Sequence, residues 1–267
     1  MPGAPDSGTA RVNPLARSVR TRWRDASHTA TPCAQIPLAA PLTRLLNSAV
    51  DFVAYAACVI GGYFLGAIPT GYLVARARGV DIRTVGSGNI GATNVFRILG
   101  KAAGVFVLLV DALKGFLACW LLPQLGAQFS GATAPSPASR EALQLTAGIA
   151  AILGHNYTCW LRFKGGKGIA TTAGVLVALV PVALGILLTI WGVVFALSRY
   201  VSLASISAAA ALPLVVWLTG GSPVLIGITG AIGALAIYKH KANLQRLLAG
   251  TENRIGRGKP PAPNATS

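Results

Sequence analysis

The sequence predicts an all-α, polytopic integral membrane protein with about seven transmembrane helices, its N-terminus outside and its C-terminus cytoplasmic. Three observations predict it. Mean hydropathy is +0.60, and 53% of the residues are hydrophobic. Only 11% are charged, where soluble domains carry about 25%. The apolar residues come in blocks, several of them near the roughly 20 residues that a helix needs to cross a bilayer.

Residues 1–47 differ in kind from the rest. They hold Arg11, Arg17, Arg20, Arg22, Arg24 and Arg44 among Pro, Ser, Thr and Ala. This composition reads as a disordered basic tail. No compact apolar core with a cleavage site precedes the first span, so a cleaved signal peptide is not expected. A start site placed too far upstream would also account for the tail. Residues 48–258 form the expected membrane domain, and 259–267 a short C-terminal tail.

The first span is Phe52–Ala75, "FVAYAACVIGGYFLGAIPTGYLVA". The second is roughly Gly104–Leu122 and the third roughly Ala142–Trp160. Thr171–Leu197 is 27 residues long and is interrupted by Pro181 and Gly185. It is one tilted span, or two short helices turning near Pro181. Val201–Leu218 and Val224–Tyr238 complete the set.

Loop charge gives the orientation. Arg76, Arg78, Arg83, Arg97 and Lys101 separate spans one and two. Arg162, Lys164 and Lys167 follow span three, and Lys239, Lys241, Arg246, Arg254, Arg257 and Lys259 follow the last. Stretches 123–141 and 219–223 hold only Arg140 and Glu141. The basic segments are therefore expected in the cytoplasm. If Arg199 joins them, Thr171–Leu197 crosses twice and seven spans result. The arginines of the tail then break the rule, which long tails obey poorly.

The formal net charge is +16, with seven acidic residues in all. That balance suits a protein handling anions beside an anionic lipid surface. Nucleic acid is not expected as a partner, because the cations lie in loops between apolar segments. Cys33, Cys58, Cys119 and Cys159 form no C-x-x-C pair, so neither zinc nor a disulfide framework is signalled. Cys58 and Cys119 read as small apolar residues within helices. No cluster of His, Asp and Glu suggests a required metal, and no cofactor is expected.

Three polar, glycine-rich segments are dense in cations. The first, 79–104, contains "GSGNIGATN", which matches G-x-G-x-x-G. A dinucleotide site would need a strand before it and an acid about 20 residues on, and no β-α-β unit surrounds it. The glycines instead fit a phosphate cradle, since they let backbone amides approach an anion. Ser87, Asn89, Thr93 and Asn94 add uncharged donors, and Arg97 a planar fork. The second, 154–172, contains "FKGGKGIAT", with Lys164 and Lys167 flanking glycines before a helix. It is not a Walker A loop, because Lys167 precedes Gly168 rather than Ser or Thr. The third is "YKHKANLQRLLAGTENRIGRG", 238–258. One such loop is as readily a flexible turn; three on one face point to a site.

Together these segments resemble the three signature motifs of the bacterial acyl-phosphate:glycerol-3-phosphate acyltransferases, the PlsY family. "GSGNIGATNVFR" resembles the first motif, "FKGGKGIAT" the second and "HKANLQRLLAGTENRIG" the third. The likeness runs from about Ile60 to Gly256. Thr158 stands where the family often has proline, and Arg254 where lysine is common. The resemblance implies a seven-helix enzyme of the bacterial plasma (inner) membrane, with its active site on the cytoplasmic side. It implies transfer of a fatty acyl group from acyl phosphate to the 1-hydroxyl of glycerol 3-phosphate, giving lysophosphatidic acid for phospholipid synthesis. A soluble acyl-phosphate-forming enzyme is then an expected partner.

By position, the resemblance implies Ser87, Arg97, Lys167, His240 and Asn243 as ligands. Ser87, Arg97, His240 and Asn243 are assigned to glycerol 3-phosphate, with Asn89 beside them. Lys167, the neighbouring Lys164, and the amides of Gly165, Gly166 and Gly168 are assigned to phosphate and developing negative charge. Ser87, Lys167 and His240 are the catalytic candidates. The general base is either His240 or the acceptor's own phosphate dianion, whose second pKa is about 6; the dianion is preferred. Asp111 and Lys114 read as a structural ion pair, and His155 as either a residue supporting the site from behind or an interfacial one, rather than catalytic. A transporter for a phosphorylated metabolite is the alternative. It would usually carry its cations near the bilayer midplane within repeated halves, and no internal repeat is seen here.

Overall fold

The structure, a computed structural model, describes residues 39–129 and 137–256. Contacts divide the chain after Arg44, and residues from Leu45 onward form the second unit. Of the first unit only 39–44 are described, as the start of a helix. The rest of the expected basic tail and residues 259–267 lie outside the described residues.

All described regular structure is helical: α1 (Ala39–Ala67), α2 (Thr70–Arg76), α3 (Ala92–Leu99), α4 (Lys101–Phe129), α5 (Pro137–Asn156), α6 (Ile169–Leu179), α7 (Pro181–Ser198), α8 (Val201–Leu218), α9 (Pro223–Lys239) and α10 (Lys241–Leu248). α1 begins inside the segment expected as tail. α1 and α2 make up the expected first span, broken at Ile68–Pro69. Proline disfavours helical backbone in the residue before it and cannot donate to the preceding turn. The same logic splits Thr171–Leu197 at Val180, and Pro181 opens α7. Ser222 caps α9, its Oγ accepting from the Leu225 amide at 3.2 Å. The short helices α3 and α10 fall within segments read from sequence as polar loops.

Among the described residues, four helical stretches are long and apolar enough to cross a membrane, and five if α9 and α10 count as one bent span. α6 has 11 residues, about 16 Å at 1.5 Å per residue, and α5 begins with a polar turn containing Arg140 and Glu141. Length and hydropathy alone thus give fewer spans than the expected seven.

Hydrogen bonds show which helix ends lie together. The Thr158 hydroxyl donates to Ala67 O at 2.6 Å, joining the ends of α1 and α5. Lys239 Nζ donates to Asn156 O at 3.0 Å, adding the end of α9. The Ile255 amide donates to Arg199 O at 3.0 Å, adding the turn between α7 and α8. At the other end, Ser222 donates to Glu141 at 2.9 Å, joining the starts of α5 and α9. α6 therefore leaves the first group of ends, and α7 returns to it.

Small residues bring the helices close, as is usual where lipid leaves no hydrophobic drive between them. A Cβ on Gly66 would fall on the carbonyl of Ala151 in α5, and one on Gly174 of α6 on the carbonyl of Ala112 in α4. Cys58 and Cys119 are buried, as expected for small apolar residues. The outer surface is strongly apolar: Phe52, Leu109, Val182, Leu197 and Leu218 are each more than 60% exposed. A water-facing surface of that kind would drive association, whereas lipid solvates it.

Gly66→Val should lower the unfolding temperature of the purified protein in detergent, since overpacking costs roughly 1–3 kcal/mol. Gly185→Ala should leave it unchanged or slightly higher, because nothing lies within 4 Å of the added Cβ. Equal unfolding temperatures for the two variants would remove the close approach of α1 and α5.

Candidate active site

Three chain segments meet at the first group of helix ends. In the first, between α2 and α3, Gly86 and Gly88 adopt φ of 62° and 69°, the region that favours glycine. Asn94 braces the turn from within. It is 2% exposed. Its Oδ1 accepts from the Ser87 amide at 2.9 Å, and its Nδ2 donates to Ile82 O at 3.2 Å and Val85 O at 3.1 Å. Asn94, expected as a phosphate donor, is therefore taken up by the loop itself. Asn89 Oδ1 accepts from the Gly91 amide at 2.8 Å, which shapes the turn and leaves its side-chain nitrogen. Ser87 is exposed. Asp81 pairs with Arg83 at 2.7 Å, and that bond holds the Asp81 carboxyl down to about 2.

The second segment leaves α5 through a short turn, Cys159–Leu161. Arg162 and Phe163 then take φ of 53° and 60°. Left-handed backbone costs such residues roughly 1–2 kcal/mol each. The strained corner turns the chain back onto the end of α5. The Gly165 amide donates to Asn156 O at 3.2 Å and the Gly166 amide to His155 O at 3.0 Å. This corrects the expectation that both amides face a phosphate. These glycines permit close packing instead: a Cβ on Gly166 would strike the His155 ring. Gly168, at φ 81°, opens α6, whose first-turn amides have no intrahelical acceptor. Lys164 is exposed, and no contact joins it to the cluster described next.

The third segment bends by 57° between α9 and α10, with His240 at the bend. Lys167 Nζ donates to Asn243 Oδ1. Asn243 Nδ2 donates to Glu252 Oε1 at 2.7 Å, and Arg246 Nε to Glu252 Oε2 at 2.7 Å. The Ser202 hydroxyl, from α8, donates to Glu252 Oε1 at 2.9 Å. Lys239 lies 4.4 Å over the Tyr157 ring.

The electrostatics follow from that crowding. Burial pushes Lys167 down to about 8; Glu252 opposes the shift, and Arg246, Arg97 and Lys239 add to it. Burial and then Lys167 push His240 down to about 4, against its bond to Ala236 O and the Glu252 charge. His240 Nδ1 lies 2.7 Å from that carbonyl, so Nδ1 carries the proton and Nε2 can accept. Burial pushes the Glu252 carboxyl up, but bonds from Asn243, Arg246 and Ser202 outweigh it and leave it below its ordinary value. Burial also lowers Arg97, which sits in the field of Glu252 and Arg246.

The structure thus gathers Arg97, Lys167, His240 and Asn243 into one cluster. Ser87 and Asn89 lie on the loop leading into α3, and Lys164 stays apart. Sequence reasoning missed Lys239, Arg246, Glu252 and Ser202 as members. Glu252 had a signal, as the one acid in the cation-rich segment 238–258; Ser202 had none. Four cations face one carboxylate, and that surplus suits dianionic phosphate.

Residues 56–250 match the family model described as glycerol-3-phosphate acyltransferase. The chain belongs to this family. A glycerol-3-phosphate acyltransferase of Geobacter metallireducens is 54% identical over 73% of this chain and 94% of that protein. One of Geobacter sulfurreducens is 50% identical over 72% and 93%. The crystal structure of PlsY, an integral membrane glycerol 3-phosphate acyltransferase in its glycerol 3-phosphate form, superposes with TM-score 0.67. It is 40% identical, over 76% of this chain and 96% of that one. The lysophosphatidic acid form gives TM-score 0.65 at 39% identity. The family relation and the apolar helices make this an integral membrane protein.

Lys167 loses its proton as pH rises through about 8, so phosphate binding should weaken above that pH. Affinity for inorganic phosphate, measured by calorimetry on purified protein, should fall by up to about tenfold per pH unit above 8. Lys167→Arg should flatten that limb, because arginine keeps its charge. A wild-type affinity constant from pH 7.5 to 9.5 would take Lys167 out of the phosphate site.

Proposed function

We propose that this chain transfers a fatty acyl group from acyl phosphate to the 1-hydroxyl of glycerol 3-phosphate, releasing phosphate and giving lysophosphatidic acid. One juxtaposition carries the reading. The cation cluster sits directly above an apolar slot between α6, α7, α8 and α9. Ile169 and Thr172 line it just beyond Lys167, Ala236 lies one turn from His240, and Leu187 and Leu212 lie deeper. A phosphate-binding head over a lipid-chain slot fits an acyl phosphate. The transporter reading is not favoured, since the cations gather at one end of the helices rather than midway.

Acyl phosphate is a mixed anhydride. The hydroxyl oxygen attacks the carbonyl carbon, the carbon–oxygen bond to phosphate breaks, and the hydroxyl proton leaves to a base. Phosphate departs readily, so positioning and charge stabilisation supply most of the rate. Lys167 and the first-turn amides of α6 stabilise the leaving phosphate and the developing oxyanion. Arg97, Asn243, His240 and Ser87 hold glycerol 3-phosphate, with Asn89 beside them. Gly165 and Gly166 shape the loop, and Lys164 attracts substrate from the rim. The base is the acceptor's own phosphate, with a second pKa of about 6, rather than His240 at about 4.

We place the site at the cytoplasmic face of the bacterial plasma (inner) membrane. Seven crossings, by α1 with α2, α4, α5, α6, α7, α8 and α9, are supported by the grouping of helix ends. The N-terminus is then outside and the C-terminus inside. A soluble acyl-phosphate-forming enzyme would dock on the basic rim.

Purified protein given acyl phosphate and glycerol 3-phosphate should form lysophosphatidic acid, and palmitoyl-CoA should not replace the donor. Lys167→Ala should lose more than about 1.4 kcal/mol of transition-state stabilisation, a tenfold drop in kcat/KM. Equal rates with both donors would overturn the acyl-phosphate assignment, and a smaller loss would remove Lys167 from catalysis.

Topology has a separate test in a Cys33→Ser/Cys159→Ser background. An impermeant thiol reagent should label Pro223→Cys, at the exposed first position of α9, from outside intact cells and leave Asn253→Cys unlabelled. The reverse pattern would put the site outside, away from a cytoplasmic acceptor.

A further inference from the structure

Beneath the loop that carries Lys167 lies a second group of charges that the proposed reaction does not use. Asp111 and Lys114, on α4, are 2% and 3% exposed and pair at 2.9 Å. Thr70, at the start of α2, donates its hydroxyl to Asp111 Oδ1 at 3.0 Å. Lys114 Nζ also donates to Ile68 O at 3.0 Å, a carbonyl at the α1–α2 break that also accepts the Thr70 amide at 3.0 Å. His155, 5% exposed, brings Nδ1 to 3.7 Å from Asp111 Oδ1. The far side of its ring packs against Gly166, whose amide donates to His155 O at 3.0 Å.

Energetics do not explain why such a group is kept. A buried ion pair often adds nothing over apolar packing of the same volume, and its best-attested use is to fix a register. Inside a membrane, charged side chains are rarer still and mark functional machinery. This group touches the root of each of two substrate-binding segments. Through Thr70 and Ile68 it fixes the break from which α2 and the "GSGNIGATN" loop continue. Through His155 it fixes the loop of Gly166 and Lys167. We infer that Asp111, Lys114 and His155 are positioning residues that set the spacing between the glycine-rich loop before α3 and the Lys167 loop. The inference rests on the acyltransferase reading above, because those loops are taken to hold the two reacting partners.

The Asp111→Asn/Lys114→Met double variant removes both charges and leaves no buried ion unpaired. His155→Phe keeps a ring under Gly166 and removes both nitrogens. Each is compared with wild type for kcat, for stoichiometry and affinity of glycerol 3-phosphate binding by calorimetry, and for amide exchange across Gly165–Gly168. A positioning role predicts kcat lowered at least about tenfold, since a misplacement of about 1 Å can cost about a hundredfold. Binding should persist at one site per chain within about threefold of wild-type affinity, and exchange at Gly165–Gly168 should rise.

A merely structural role predicts kcat and binding stoichiometry falling in proportion, and that result would overturn the inference. So would a kcat within about threefold of wild type, or unchanged exchange in the loop. A wild-type protein without acyl transfer would defeat the proposed reaction alone. Loop exchange in the two variants would then still decide for or against positioning.

Discussion

The site depends on one carboxylate. Glu252 accepts bonds from Ser202, Asn243 and Arg246, and through Asn243 it reaches Lys167. Without it, Arg97, Lys167, Lys239 and Arg246 would repel one another in a partly dry space, where like charges interact more strongly than in water. The price of gathering them is visible in Lys167, whose proton affinity drops to about 8 even with Glu252 present. One anion leaves the cluster undercompensated. A phosphate dianion would cancel two of the three excess charges, so an excess that destabilises the unliganded cluster becomes affinity.

The same economy governs the backbone. Helix ends near a membrane expose carbonyls and amides with little water to serve them. Here they serve one another. The carbonyls at the end of α5 accept from the amides of Gly165 and Gly166, and Lys239 donates a third bond, to Asn156 O. Lys114 and Thr158 donate to the carbonyls of Ile68 and Ala67 at the α1–α2 break. The loops are therefore held from beneath before any substrate arrives. What remains on their outer side is a small set: the Ser87 hydroxyl, the Asn89 nitrogen, the first turn of α6 and the cationic side chains. A preformed site of this kind loses little on binding.

Much of this was legible in the sequence. Apolar blocks gave the helices, and Pro181 marked a turn, but the break at Pro69, inside a segment read as one span, was missed. The three motifs identified the segments that meet. The assignment of individual donors was less legible. Asn94 and Ser87 are alike on paper, yet only the folded turn shows that Asn94 faces inward while Ser87 faces outward. Gly165 and Gly166 read as amide donors to an anion, but their partners come from α5, which no local pattern specifies. Glu252 stood out only as an acid among cations, and its bond to Ser202 spans fifty residues. Long-range pairing is what a single sequence leaves open.

The choice of base in the proposed reaction follows from these same neighbours. Burial, and after it the charge of Lys167, which would hold a phosphate, lowers the proton affinity of His240. In the empty site His240 is neutral and a weak acceptor. When a dianion settles beside it, the sign reverses: a negative neighbour favours the imidazolium. His240 then becomes a better proton holder as the substrate binds, but its proton is drawn toward the phosphate it faces. It is thereby suited to grip the phosphate as a donor. The phosphate oxygens lie on the same small molecule as the attacking hydroxyl, and their second pKa of about 6 is closer to neutral pH than that of the empty-site imidazole. A base carried by the substrate needs no further catalytic side chain, and the protein's task narrows to fixing two phosphates and one carbonyl in line.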